Sequence, residues 1–246
     1  MSFQDKMTET ANWVARKIPG AKSALRPIYY PIKTLFRKSR NKAFKKKGLS
    51  VLMDFHKCME QNGYHYTLAF GTLLGAVREK GFIRHDLDID VYLWNEEWND
   101  RLRQCLRSYG FDLESAFLVD DGLSGREETY IKDGVSIDIF YIYPAVNQLP
   151  YCCDFISPYY DAPTRETCMK KYGGLQPRRL EMPFEHKREL CKFETVELYI
   201  PQNAKELLEF RYGKDFMIPN PNWTITSFDN HIVVWQDKKG IYYKFK

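Results

Sequence analysis

The sequence predicts a mixed α/β fold of the α+β class, and three observations lead there. Aromatic and β-branched runs of strand length recur through the centre, stretches with helical apolar spacing stand between them, and Asn-Gly and Asp-Gly pairs punctuate both. The chain has 246 residues, 44% hydrophobic and 15% aromatic, enough apolar material for one main domain with a sizeable appendage. Disorder throughout is thereby excluded.

Residues 1–47 read as a basic N-terminal arm, 48–143 as the core, and 144–246 as a loop-rich and helical region packed on it. The arm carries 13 Lys and Arg against two acids, net +11, which leaves net −6 for the remainder. Apolar and aromatic residues (Trp13, Ile18, Tyr29, Phe36) are scattered among its charges, and Pro19-Gly20, Pro27 and Pro31 interrupt it. Two readings stay open: amphipathic pieces lying on an anionic membrane surface, or a helical arm packed on the domain with its basic face in solvent.

In the core, Leu49, Leu52, Met53, Phe55 and Met59 have helical spacing, and Asn62-Gly63 supplies the stop. Tyr64–Phe70 reads as a strand ended by Gly71-Thr72, Leu73–Glu79 as a short helix, and Ile89–Leu93 as a second strand. Glu96–Tyr109 carries Trp98, Leu102, Cys105 and Leu106 on one helical stripe, with Gly110 beyond its end. Three strands follow, Phe111–Val119, Glu127–Lys132 and Val135–Tyr143, separated by Asp120-Asp121-Gly122 and Asp133-Gly134. Residues 144–190 hold six of the twelve prolines and read as irregular loops. One more strand, Phe193–Ile200, precedes a helix capped by Asn203 and running through Arg211.

No apolar run approaches the roughly 18–20 residues of a spanning helix, and the first thirty residues lack a signal peptide's apolar core. The expected location is the cytoplasm, peripheral on the inner membrane face. The six cysteines show no CxxC spacing and read as reduced packing residues.

The chemistry concentrates in Gly71-Thr72-Leu73-Leu74-Gly75-Ala76-Val77-Arg78 and in Gly81-Phe82-Ile83-Arg84-His85-Asp86-Leu87-Asp88-Ile89-Asp90-Val91. Residues two apart on an extended strand share a face, so Asp86, Asp88 and Asp90 would project together. Three carboxylates that close repel unless a cation sits among them, and hard oxygen ligands suit magnesium or manganese. The apolar alternation Ile83, Leu87, Ile89, Val91, Leu93 speaks for a half-buried strand over a solvated acidic turn. Gly71-Thr72, opening a helix after a strand, offers N–H groups and a hydroxyl to phosphate. Asp138 is an acid among apolar strand positions, a candidate third carboxylate.

Residues 71–93 resemble the signature of the LicD/fukutin family. Gly-Thr, Asp-x-Asp and a later strand Asp also match DNA polymerase beta-type nucleotidyltransferases. Pro201, Leu207-Leu208, Tyr212-Gly213, Asp215 and Pro219 resemble the family's C-terminal motif, so the likeness covers about residues 49–220. It implies the nucleotidyltransferase fold, a mixed central sheet flanked by helices, with 48–143 as its catalytic core. It also implies Asp88, Asp90 and Asp138 as the catalytic and metal-holding acids, and Gly71 and Thr72 as the phosphate-cradling turn. Arg78 would meet donor phosphate. Where bacterial members often read Pro-Trp-Asp-Asp-Asp, this chain has Arg84-His85-Asp86-Leu87-Asp88, so Arg84, His85 and Asp86 would shape substrate specificity, with His85 in a substrate-contact or structural role or as a base. The implied reaction is metal-dependent transfer of phosphocholine, ribitol phosphate or glycerol phosphate from a CDP-linked alcohol to a hydroxyl of a cell-surface or lipid-linked glycan, with CMP leaving. No nucleic-acid partner is expected. The rival is attachment of a nucleotide from an NTP to a small molecule, protein or RNA; a catalytically dead adaptor using the arm would not need three intact acids.

Overall fold

A computed structural model describes residues 44–84, 86–145, 149–220 and 231–245. Helix α1 runs through residues 44–62 and turns off at Gly63, whose φ of 74° suits only a residue without Cβ. Phe44, Val51, Leu52, Phe55, Cys58 and Met59 form its buried stripe. The helix thus starts upstream of Leu49 and carries the Lys45–Lys47 run on its first described turn, across the boundary drawn at residue 47. The rest of the arm lies outside the described residues.

Six strands form the main sheet: β1 (Thr67–Leu68), β2 (Asp88–Trp94), β3 (Asp112–Val119), β4 (Gly125–Lys132), β5 (Val135–Ile142) and, far along the chain, β11 (Ile241–Lys244). Their order is β1-β2-β5-β4-β3-β11, antiparallel throughout except for the parallel pair β2 and β5. The sheet is therefore mixed, as the sequence predicts. Helix α2 (Phe70–Arg78) links β1 to β2, and α3 (Asp100–Ser108) links β2 to the β3–β4–β5 meander. The predicted helix over 96–109 is divided: Asn95–Glu97 forms a 3-10 turn and Asn99 caps α3 by accepting the Leu102 N–H.

Ile89, Val91 and Leu93 of β2 and Ile137, Ile139 and Tyr141 of β5 face one side, all buried, and pack with the apolar stripes of α1, α2 and α3. A polar group interrupts this layer: Glu128 of β4 is completely buried. Its carboxylate accepts from Trp98 Nε1 (3.2 Å), Arg103 Nε (3.1 Å), Arg126 Nη1 (3.1 Å), Tyr130 Oη (2.8 Å) and Tyr141 Oη (3.0 Å). Donors from five residues on one carboxylate are what a charge buried this deeply requires.

The region read as irregular loops carries regular elements among its described residues. It contributes β6 (Tyr151–Ile156), α4 (Arg165–Tyr172) and β7 (Gln176–Glu181), and β10 (Ile232–Val234) completes a second sheet in the order β10-β7-β6. Pro177 fits because the chain has only to supply its carbonyl, which accepts the Trp235 N–H at 3.0 Å. The single strand expected over 193–200 is a hairpin of β8 (Arg188–Phe193) and β9 (Val196–Pro201), turning at Glu194 with φ 52°. Helix α5 (Ala204–Tyr212) follows. Asn203 holds its N-cap position, but its Nδ2 donates to the Pro183 carbonyl and to Glu206 in place of a capping bond. The second sheet and α5 cover the main sheet's other face through Tyr92, Trp94, Ile142, Leu180, Met182 and Leu207.

All six cysteines are free thiols, four of them buried. Among the described residues no helix is long and apolar enough to cross a membrane.

Candidate active site

The site lies where β1 gives way to α2 and β2 begins. The strand predicted over Tyr64–Phe70 shrinks to Thr67–Leu68, because Phe70 already starts α2 with a φ of 37°. A bulky residue with positive φ is strained, and here the strain sits at the site's edge. Thr72 therefore falls inside the first helical turn. It is 1% exposed, and its hydroxyl accepts the Asp90 N–H at 3.0 Å. The hydroxyl thereby braces β2 against α2. The Gly71 N–H is directed at the Asp90 carboxylate.

Parallel pairing of β2 with β5 sets Asp90 directly beside Asp138, and Asp88 beside Ser136. Asp86 is not on the strand. It folds back before it, accepting the Ile83 N–H at 3.0 Å, yet still joins the cluster: a Cβ built on Gly71 would lie 3.6 Å from Asp86 Oδ1 and 3.7 Å from Asp90 Oδ2. Thr129 of β4 donates to Asp138 Oδ1 at 2.6 Å. In register, Asp90, Asp138, Thr129, Ser115 and Lys244 make one polar row across five strands.

Crowding and burial show in the acids' proton affinities. Burial, then Asp88, Asp138 and Asp86, push Asp90 well above the usual carboxylate range against the opposing Gly71 N–H. Asp86 is pushed up to about 7, chiefly by burial and further by Asp88, against the Ile83 N–H. Asp138 rises to about 6 through burial and Asp88, opposed by the Thr129 hydroxyl and Arg165. These are acids held together at a cost, the condition a bound cation relieves. Among the described residues no group of three or more His, Cys, Asp or Glu side chains is placed to hold a metal ion by itself. Carboxylate oxygen is nevertheless the donor type that magnesium or manganese takes, with substrate oxygens and water supplying the remaining ligands.

Arg78 ends α2 with its guanidinium on Glu79 Oε1 (2.9 Å) and the Phe216 carbonyl (3.3 Å), near enough to Asp86 to oppose its rise. Arg84 is exposed on the turn before β2. His85 lies outside the described residues. Two groups at the site escape sequence reasoning, and a third, Tyr212, is marked there only as part of the C-terminal motif. Glu127 of β4, one pleat along from Thr129, is buried and pushed up to about 8 by burial and then by Asp138; strand alternation with Thr129 is the signal that marks it. Arg165 at the start of α4 offsets both Glu127 and Asp138. Tyr212, at the end of α5, has its phenol pushed up by burial and then by Asp90.

Gly75 ties the cluster's two arms together. A Cβ there would stand 2.4 Å from the Gly81 carbonyl oxygen and 3.2 Å from the Ile83 nitrogen, so the turn leading to Asp86 rests on bare helix backbone. Gly75→Ala is expected to displace that turn and to cost about 1–3 kcal/mol, as overpacking does. A thermal melt indistinguishable from wild type would show the contact to be slack.

Fold and site together define a mixed α/β protein with a carboxylate cluster at the join of two parallel strands and a helix N-terminus, a construction suited to a metal-bound phosphate. The chain belongs to the LicD/FKTN/FKRP family, whose nucleotidyltransferase domain matches residues 63–203. It is similar to the ribitol-5-phosphate transferase FKTN of Macaca fascicularis (25% identical over 184 residues, 74% of this chain and 35% of that protein) and of Homo sapiens (24%, with the same coverage). A shorter stretch of 50 residues is 48% identical to the lipopolysaccharide cholinephosphotransferase LicD of Haemophilus influenzae, covering 20% of this chain and 19% of that protein. The chain thus spans about a third of the length of the FKTN transferases it matches.

Proposed function

We propose that the chain is a metal-dependent phosphotransferase that moves a phospho-alcohol (phosphocholine, ribitol phosphate or glycerol phosphate) from a CDP-linked donor to a hydroxyl of a cell-surface glycan, releasing CMP. The observation that carries this reading is the register of β2 on β5, which sets Asp90 beside Asp138 with Asp86 and Asp88 at hand. The family and the names of its matching members, transferases of ribitol 5-phosphate and of phosphocholine, support the class of group transferred.

Asp88, Asp90 and Asp138 would hold magnesium or manganese. Bound there, the ion neutralises charge on the donor diphosphate and on the departing CMP. The protein's own part is positional. Thr72 and Gly71 fix the Asp90 backbone and carboxylate, Thr129 orients Asp138, and bare Gly71 leaves space beside the acids. An acceptor hydroxyl oxygen attacks the alcohol-bearing phosphorus, its proton passes to Asp138 or to solvent, and the P–O bond to CMP breaks.

The test is incubation with a panel of CDP-alcohols and with NTPs in the presence of magnesium. CMP release supports the proposal; pyrophosphate release from an NTP replaces it with nucleotidyl transfer.

Residues 1–47, with their net charge of +11, would hold the enzyme to anionic membrane carrying lipid-linked acceptors on the cytoplasmic face. Each basic residue there contributes about 1 kcal/mol at best, screened by salt. Co-sedimentation with anionic liposomes is expected to fall steeply with salt and to vanish when residues 1–43 are removed. Equal pelleting of the truncated protein would make the arm structural.

A further inference from the structure

Two neighbouring glutamates of β4 are buried in opposite ways. Glu128, on the apolar face, gathers its donors from five residues. Glu127 points to the other face, that of the acid cluster, and is 9% exposed. Among the described residues its carboxyl takes part in no hydrogen bond or ion pair; only the charges of Asp138, Arg165 and Asp154 act on it. Its oxygens are not among the sealed, unpartnered side-chain atoms of the described residues, so they keep an opening to solvent. A carboxyl nine-tenths buried ordinarily collects donors, and one that opens onto a site without them is matched by a donor from outside the chain.

The sheet register places this carboxyl. Thr129 is the direct partner of Asp138, and Glu127 stands two residues before Thr129 on the same face. Such a diagonal between adjacent strands spans about 7–8 Å, so one small substrate group can touch both acids. Phe117 of β3 and Phe140 of β5 flank Glu127 in register. The Arg165 guanidinium carbon lies 4.6 Å from the centre of the Phe117 ring, and its charge reaches both Glu127 and Asp138. Asp154, the remaining acid that acts on Glu127, is held by Arg178. These surroundings narrow the ligand chemistry. A hydroxyl can donate to the carboxyl, whereas a trimethylammonium has no hydrogen to give and would add a cation where Arg165 already supplies one. A side chain this deeply buried also admits a small group in preference to the end of a glycan chain.

We propose that Glu127 is a specificity-determining residue that holds a hydroxyl of the transferred alcohol, so that the site takes polyol phosphates such as glycerol phosphate or ribitol phosphate in preference to phosphocholine. This rests on the reading of the chain as a phospho-alcohol transferase, and it chooses among the alcohols that reading allows. Full-length wild type, Glu127→Leu and Glu127→Gln are to be titrated calorimetrically with CDP-glycerol, CDP-ribitol and CDP-choline in magnesium, with a thermal melt of each. Glu127→Leu is expected to bind both CDP-polyols at least about 10-fold more weakly, the effect of one lost hydrogen bond to a carboxyl, and CDP-choline within about 2-fold of wild type. It should melt no lower than wild type, because an apolar side chain of similar size replaces an unpartnered buried carboxyl. Glu127→Gln, which keeps the hydrogen-bonding shape, should recover part of the polyol affinity. Unaltered CDP-polyol affinity in Glu127→Leu overturns the proposal. So does an equal loss for CDP-choline, which would make Glu127 a general support of the donor site, and so does a loss of binding accompanied by a lowered melt in both variants. CMP release by the wild type, measured in parallel, separates the two readings. Glu127-dependent binding of CDP-polyols without CMP release leaves the hydroxyl site standing and removes the transfer; CMP release with unaltered CDP-polyol binding by Glu127→Leu does the reverse.

Discussion

Asp90→Asn is expected to reduce phospho-alcohol transfer by roughly 10²–10⁴-fold or more, at least the range seen when a positioned acid or base is lost, while the protein melts no lower than wild type. Asp90 lies between Asp138 on the neighbouring strand and Asp86 across Gly71, and both like charges and burial disfavour its ionised form. Removing its charge relieves that crowding, so activity and stability should move in opposite directions. Asp88→Asn should behave alike, weakening the metal–donor complex. Asp138→Asn should differ: on another strand, tethered by Thr129, it is expected to spare donor binding while slowing transfer. Calorimetric titration with CDP-alcohol and magnesium beside a CMP-release assay reads both quantities. Wild-type turnover by Asp90→Asn in magnesium-restored buffer would sink the site assignment, and loss of donor binding in Asp138→Asn would move that acid into the metal's own shell.

The second large effect is on folding and leaves the site's chemistry aside. Glu128→Ala strips the shared counter-ion from Arg126, 4% exposed, and from Arg103. Breaking a buried pair from one side costs about 3–5 kcal/mol because the partner's charge stays behind. For a chain of this size each kcal/mol moves the melting midpoint by about 2–4 °C, so a drop on the order of 10 °C is expected in a thermal melt. Trp98, stacked against Arg126 at 3.6 Å, and the phenols of Tyr130 and Tyr141 would lose their acceptor too. A midpoint within about 2 °C of wild type would mean that water or a shifted acid takes over the carboxylate's place.

Much of this architecture is legible in the sequence wherever side-chain period and backbone agree. The β3–β4–β5 meander shows because β5 alternates buried and half-buried positions and Asp133-Gly134 marks the turn before it. The acid at 138 shows because it breaks an apolar strand. Legibility fails where the backbone does something its residues do not advertise. Phe70 begins a helix at positive φ, although its aromatic ring and its neighbours favour a strand; the cost is met by packing against Tyr92 and Phe140. Glu194 makes a hairpin turn in a conformation that turn signals reserve for Gly or Asn. The prolines of 144–190 hide β6 and β7, since Pro177 needs no ladder donor where it stands. Arg211 is the hardest case, because a cation in the last turn of a helix ordinarily points to water and compensates the helix dipole; the packing of α5 against α2 and β7 buries it.

The parallel join of β2 and β5 also bears on when the site comes into being. Asp90 and Asp138 belong to strands separated by an entire meander, and their pairing is a non-local contact whose loop-closure cost comes before its reward. The β3–β4–β5 hairpins pair neighbouring segments, whereas β2 joins β5 across the two strands between them. Before that pairing the acids are far apart and do not repel; after it they are locked in register. No state that lacks the β2–β5 ladder can present the carboxylate cluster.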